Sequence, residues 1–309
     1  MIETQFLAKE SVQTGSPHQR RALSHSRNLP QLIVAVQEIA TSVMHGVHGR
    51  RRAGTGETFW QFRPFVMGEA TGAIDWRRSA RDDRIYVRER EWESAHTVWL
   101  WIDRSPSMAY ISSLALTSKI DRALVLGLAL ADLLVRGGER VGLLGLTRPL
   151  AARNIVERFG ECLMDDEQRR TDAPDELPNV EPLPARAQVV LLGDFLSPAA
   201  EVAAKIAHLS SRGARGHVVM IADPVEESFP FEGHAEFYDA DGSARFRVGE
   251  AASFRDAYVA RLAAHRDEIR HACDAHGWSF TIHRTDKPAT EALLALRMRF
   301  ENSDRGGAC

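Results

Sequence analysis

Val98-Trp99-Leu100-Trp101-Ile102-Asp103-Arg104-Ser105-Pro106-Ser107 decides how this chain reads. The first five residues are apolar without alternation and rich in β-branched and aromatic types, the pattern of a strand buried on both faces. An acid and two hydroxyls follow in the spacing D-x-S-x-S. Period-two alternation brings those three side chains to one side, and a short turn can wrap them around one small cation. Oxygen-only donors suit Mg²⁺ or another hard divalent ion. The plainer alternative is a Ser/Pro turn with Asp103 capping the next helix.

Working outward, strands alternate with helices. Lys119–Arg136 reads as a helix apolar around most of its circumference, ended by Gly137-Gly138. Arg140–Leu146 is a second strand, Ala151–Ile155 a short third, residues 157–164 a helix and Asp165–Pro184 a long acidic and Pro-containing loop. Gln188–Asp194 is another buried strand ending in an acid. Pro198–Arg212 is a helix, His217–Ala222 a strand, and Asp223-Pro224 its terminating turn. Glu236–Asp239 and Ala244–Val248 form a small hairpin. Ala251–His276 is a long amphipathic helix, Trp278–His283 a last strand and Ala289–Phe300 a last helix. This alternation predicts an α/β fold: a Rossmann-like, doubly wound, mostly parallel sheet. Ligands in such folds bind beyond the carboxyl ends of the strands, where strand order reverses. Asp103 and Asp194, at the ends of separate strands, are therefore expected to meet across one crevice with Ser105 and Ser107.

Upstream, residues 1–28 read as a polar, loosely held arm. Residues 29–96 combine a helix (Leu29–Val47), a basic glycine-punctuated loop around Arg50-Arg51-Arg52 and two strands, Glu57–Arg63 and Ile85–Trp92. The α/β domain is expected over 97–300, with a tail at 301–309. The net charge of −3 gives no whole-chain field for nucleic acid or anionic membranes. Three widely spaced cysteines, Cys162, Cys273 and Cys309, fit a reducing compartment. The amino end lacks the apolar core of a secretory signal. The longest apolar stretch, Ala123–Val135, contains Asp132 and is too short to span a bilayer. A soluble, cytoplasmic protein is the expectation.

Several further motifs stand in order. Arg63-Pro64-Phe65-Val66-Met67-Gly68, Gly72-Ala73-Ile74-Asp75-Trp76, Ser79-Ala80-Arg81 and Val87-Arg88-Glu89 precede the D-x-S-x-S strand; Gly142-Leu143-Leu144 and Gly193-Asp194-Phe195 follow it. Together they resemble the bacterial family known as domain of unknown function 58, with a von Willebrand factor A-like domain carrying a metal-ion-dependent adhesion site, over about residues 50–225. The resemblance implies Mg²⁺ on Asp103, Ser105, Ser107 and Asp194, directly or through water, with a partner's Asp or Glu completing the shell. It also implies a MoxR-type AAA+ ATPase as partner and a role in assembly or maturation of a protein complex. The chain departs from the pattern in three places. Glu69 stands where Asp is usual, and Gly193 replaces a frequent serine. The threonine drawn from a middle loop has two candidates, Thr147 and Thr171.

Two other functions compete with this one. A metal-dependent hydrolase or phosphoryl-transfer enzyme needs a base; His96 is nearest in sequence but precedes the strand whose far end carries Asp103. Nucleic-acid binding would use Arg50–Arg52, Arg77, Arg78, Arg81, Arg84, Arg88 and Arg90, but Asp75, Asp82, Asp83, Glu89, Glu91 and Glu93 neutralise much of that region. A non-enzymatic protein-binding module is therefore expected. His265, His271 and His276 with Cys273 lack zinc spacing and read as solvated or helix-end residues. Trp99 and Trp101 read as packing residues.

Overall fold

A computed structural model describes residues 2–4, 32–43, 59–67, 71–81, 84–90, 96–172, 174–180, 182–185, 187–239 and 245–305. The chain divides into two compact units, Met1–Gly46 with His96–Cys309, and Val47–Ala95. The polar arm beyond residue 4, the Arg50–Arg52 loop, Glu69 and the last four residues lie outside the described residues.

In chain order the larger unit begins with β1 (Ile2–Thr4) and a helix over residues 32–43, α1. The smaller unit holds β2 (Phe59–Pro64), α2 (Trp76–Ser79) and β3 (Tyr86–Arg90). Strands β2 and β3 pair antiparallel. The motif residues between them are ties: Ile74 bridges Val87, the Asp75 carboxylate accepts from Arg78 N at 2.9 Å, and Ser79 Oγ accepts from Tyr86 N at 2.9 Å. Asp75 thus caps α2 while its own N–H donates to Tyr86 O.

The larger unit resumes with β4 (Thr97–Ile102), α3 (Lys119–Arg136), β5 (Arg140–Leu143), α4 (Ile155–Arg169), β6 (Gln188–Gly193), α5 (Ala199–Ser210) and β7 (Arg215–Ala222). A short α6 (Pro224–Ser228) and a hairpin of β8 (Ala235–Asp239) and β9 (Arg245–Val248) follow, then α7 (Arg255–Ala275), β10 (Ser279–Arg284) and α8 (Ala289–Arg305). Five strands form a parallel sheet in the order β10-β7-β6-β4-β5. The chain goes from β4 outward to β5, then returns to the other side of β4 with β6, so strand order reverses between β4 and β6.

Alternation along each strand feeds two cores. Val98, Leu100 and Ile102 of β4, Val190 and Leu192 of β6, and Val219 and Ile221 of β7 face α3, α4 and α8, and Val36, Ala40 and Val43 of α1 join the same cluster. Trp99, Trp101, Val189, Leu191, Val218 and Met220 face the other way, with α5 and α7. Helix α3 is enclosed between the sheet, α4 and α8, which buries it on nearly all sides and explains its apolar circumference. Gly127 lets α3 approach the sheet; a Cβ there would lie 2.7 Å from Ile102 Cδ1.

Three local expectations are corrected. Residues 151–155 are not a strand: one antiparallel bridge joins Val141 to Leu150, and Ile155 already opens α4, whose buried Ile155, Val156, Phe159 and Leu163 have helical spacing. That helix continues to Arg169 through the expected loop, its last turn supported by the Asp165–Arg169 and Asp166–Arg170 pairs. Asp223-Pro224 begins α6 rather than a simple turn. Asp223 caps it, Pro224 takes its first position, and Glu226 closes a capping box.

Candidate metal centre

Asp103 is the first residue beyond β4, and its N–H still donates to Leu192 O at 2.8 Å, so the ladder with β6 holds it at the reversal point. The chain then turns. Asp103 Oδ1 accepts from Ser105 N at 2.8 Å, and Pro106 starts a 3₁₀ turn, Pro106–Ala109. The D-x-S-x-S segment is therefore coiled rather than extended, and the coil brings the hydroxyls together: Ser105 Oγ and Ser107 Oγ are 3.1 Å apart. Ser107 Oγ donates to Asp194 Oδ2 at 2.7 Å. The four expected residues thus form one oxygen cluster, and each is at most 3% exposed.

Two backbone features aim Asp194. Gly193 precedes it, and a Cβ there would sit 2.8 Å from Asp103 Cβ and 3.0 Å from Asp103 Oδ2. The missing hydroxyl at 193 is thus the room that the Asp103 carboxylate occupies. Phe195 follows with φ +48°, left-handed and costly for an aromatic residue by about 1–3 kcal/mol. Its ring is 1% exposed, and its carbonyl accepts from His265 Nε2 of α7 at 2.7 Å. His265, expected to be solvated or a helix-end residue, instead braces the turn after Asp194.

Two residues that no sequence motif marks, Lys119 and Glu226, stand beside the cluster. Lys119 opens α3 with its side chain 1% exposed, donating to Asp194 Oδ2 at 2.9 Å and to Glu226 Oε1 at 2.6 Å. Burial disfavours its ammonium, but the Asp194 and Glu226 carboxylates outweigh that and hold the pKa above the ordinary lysine value. Burial, then the negative charge of Asp194, raises the Asp103 pKa well above the usual carboxylate range, against the Ser105 hydrogen bonds and Lys119. Burial also raises that of Glu226. The signals available in sequence were a lysine at the mouth of an apolar helix and the D-P-V-E capping spacing at Asp223–Glu226.

Other residues fall outside the cluster. Thr147 Oγ1 accepts from Leu143 N at 2.9 Å, closing the turn after β5, and Thr171 is exposed beyond α4. His96 lies at the amino end of β4, separated from Asp103 by a strand of roughly 20 Å. Asp223 is fully buried but accepts from Ser112 N and Val225 N, both at 2.9 Å. Arg104 turns away from the oxygens and pairs with Asp166 of α4. A cavity of about 150 Å³ beside that arginine is lined by Trp101, Leu143, Leu163 and Arg170 among others; the oxygen cluster does not line it.

Do these residues fit a hard divalent ion? Asp103 Oδ2 is buried without a hydrogen-bond partner, an expensive arrangement for a carboxylate. Neighbouring donors on an octahedral Mg²⁺ shell stand about 3 Å apart. The Ser105–Ser107 and Ser107–Asp194 oxygen separations, 3.1 and 2.7 Å, lie close to that. Three carboxyl groups, those of Asp103, Asp194 and Glu226, share the single ammonium of Lys119, so two negative charges stay uncompensated when all are ionised. The donor set fits. Among the described residues no group of three or more His, Cys, Asp or Glu side chains is disposed to hold a metal ion; the donors here are two carboxylates and two serine hydroxyls.

The geometry sits inside a known sequence family. A family model described as "Protein of unknown function DUF58" matches residues 61–268. The chain belongs to the DUF58 family. No curated protein and no solved structure matches it. The DUF58 match runs from β2 into α7, starting later and ending later than the expected 50–225, and contains Asp103, Ser105, Ser107, Lys119, Asp194 and Glu226. Strand β10 and helix α8 lie beyond it.

Proposed function

We propose that this DUF58 protein is a non-enzymatic, Mg²⁺-dependent protein-binding module with a von Willebrand factor A-like adhesion site. Asp103, Ser105, Ser107 and Asp194 hold the ion, directly or through water. A partner's Asp or Glu completes its shell. The observation that carries this reading is the unpartnered Asp103 Oδ2, buried at the reversal point of a parallel sheet among two hydroxyls and a second acid. Few charged donors leave the ion electrophilic, which favours an incoming carboxylate.

The surface beside the cluster supports a protein rather than a small ligand. Between Ser107 and Lys119 the chain forms a loop tied at Tyr110, whose N–H donates to Ser107 O and whose carbonyl accepts from Lys119 N, and at Ser112, which donates to Asp223. On this loop Ile111, Leu114 and Leu116 are 54%, 54% and 74% exposed. Apolar side chains held outward on an anchored loop are a contact surface. Family resemblance points to a MoxR-type AAA+ ATPase as the partner, with this protein as adaptor in assembly or maturation of a complex. Cys162 and Cys273 are free thiols, which supports a cytoplasmic location. Among the described residues no helix is long and apolar enough to cross a membrane.

The test is retention of proteins from a lysate of the source cells by wild type and Asp103→Ala, each with Mg²⁺ and with EDTA, read by mass spectrometry. A protein retained only by wild type with Mg²⁺ is the expected result. The same proteins in all four conditions would refute the adhesion-site reading.

A further inference from the structure

Lys119 places a cation inside the oxygen cluster before any metal arrives. Its ammonium and the Ser107 hydroxyl both donate to Asp194 Oδ2, at 2.9 and 2.7 Å, so that oxygen is engaged twice. A second carboxylate, Glu226, holds the ammonium from the other side at 2.6 Å, and the Tyr110 ring lies 6.0 Å away. The lysine is fully buried and anchored by the first turn of α3, where Ser118 caps the helix. It has little freedom to withdraw. A divalent ion drawing on Asp194 must share that carboxylate with a fixed positive charge, and two cations within a few ångströms in a poorly solvated site repel strongly.

Resting on the metal-binding reading above, we propose that Lys119 is a tethered counter-cation of the site. It occupies Asp194 when the ion is away, keeping a buried acid compensated and the crevice folded. When the ion enters, the same charge lowers its affinity. The ion is then held firmly only once an external carboxylate adds negative charge to the shell. Metal and partner binding are thereby coupled, each strengthening the other, by linkage. A lysine serving only to support the fold predicts the opposite effect of its removal: loss of the ammonium would loosen Asp194 and weaken the metal site.

The experiment is a Mn²⁺ titration of the full chain by calorimetry, with melting temperatures measured with and without the ion. It compares wild type, Lys119→Met, which keeps the length without the charge, and Lys119→Gln, which keeps a donor to Asp194 and serves if the methionine variant does not fold. Expected are weak Mn²⁺ binding by wild type, binding at least about tenfold tighter in the uncharged variants, and a larger Mn²⁺-induced rise in their melting temperature. Equal or weaker binding in the variants, with wild type binding Mn²⁺, would overturn the counter-cation role and leave the metal site standing. Absence of Mn²⁺ binding in every protein would overturn both.

Discussion

The ends of β4 and β7 carry the same residue with opposite outcomes. Asp103 and Asp223 are each the first residue after a parallel strand, and each is fully buried. Asp223 is satisfied by the N–H groups of Ser112 and Val225 and by its place in the capping box of α6. Asp103 keeps one oxygen without a partner and faces a second carboxylate across the reversal point. An acid at a strand end is thus not itself a site. An acid whose hydrogen bonds are left incomplete, where its neighbours are hydroxyls and carboxylates, is a candidate for one.

The largest effect expected to separate the two ends is on metal binding. Asp103→Ala should abolish measurable Mn²⁺ binding by calorimetry, whereas Asp223→Ala should retain it within a few-fold; equal losses would erase the distinction. Next is acid sensitivity on the β7–β10 side. Burial, with Arg299 near one ring and Arg122 near the other, pushes the His217 and His283 pKa values down to about 4. Unfolded imidazoles titrate near 6.5, so between the two values the unfolded chain binds more protons. Stability present above pH 6.5 should therefore be lost as pH falls toward 4, by roughly 3 kcal/mol per histidine. Denaturant unfolding at pH 7 and 4.5 should show His283→Gln with the shallower decline; an unchanged pH dependence would contradict the buried neutral ring.

The smallest effect has a sign that sharpens the comparison. Without metal, Asp223→Ala should cost about 1–2 kcal/mol through loss of its cap. Asp103→Ala should change stability by less than about 1 kcal/mol or raise it, since it removes a buried carboxyl oxygen that nothing satisfies. Matching denaturant midpoints for the two variants would show that Asp103 is as structurally committed as Asp223.

Much of this was legible in sequence, and the exceptions share a cause. Apolar runs located β4, β6 and β7, and the D-x-S-x-S spacing with a second strand-terminal acid located the oxygen cluster, because burial and local spacing are written along the chain. Lys119 and Glu226 were missed because they are 107 positions apart and meet only through the strand order. Lys119 reads locally as an ordinary polar start to a helix. The left-handed Phe195 was hidden too, since an aromatic residue gives no hint of positive φ. The extent of α4 depended on i,i+4 charge pairs that resemble loop composition. His265 reads as one histidine of an exposed helix until α7 is laid beside the turn after Asp194.

The central claim is most directly tested by anomalous diffraction from crystals of the protein soaked in Mn²⁺. A peak at coordination distance from Asp103 Oδ2, with the Ser105 and Ser107 oxygens around it, is the predicted result. An undisturbed cluster without a peak, at Mn²⁺ concentrations that occupy other sites in the crystal, would contradict it.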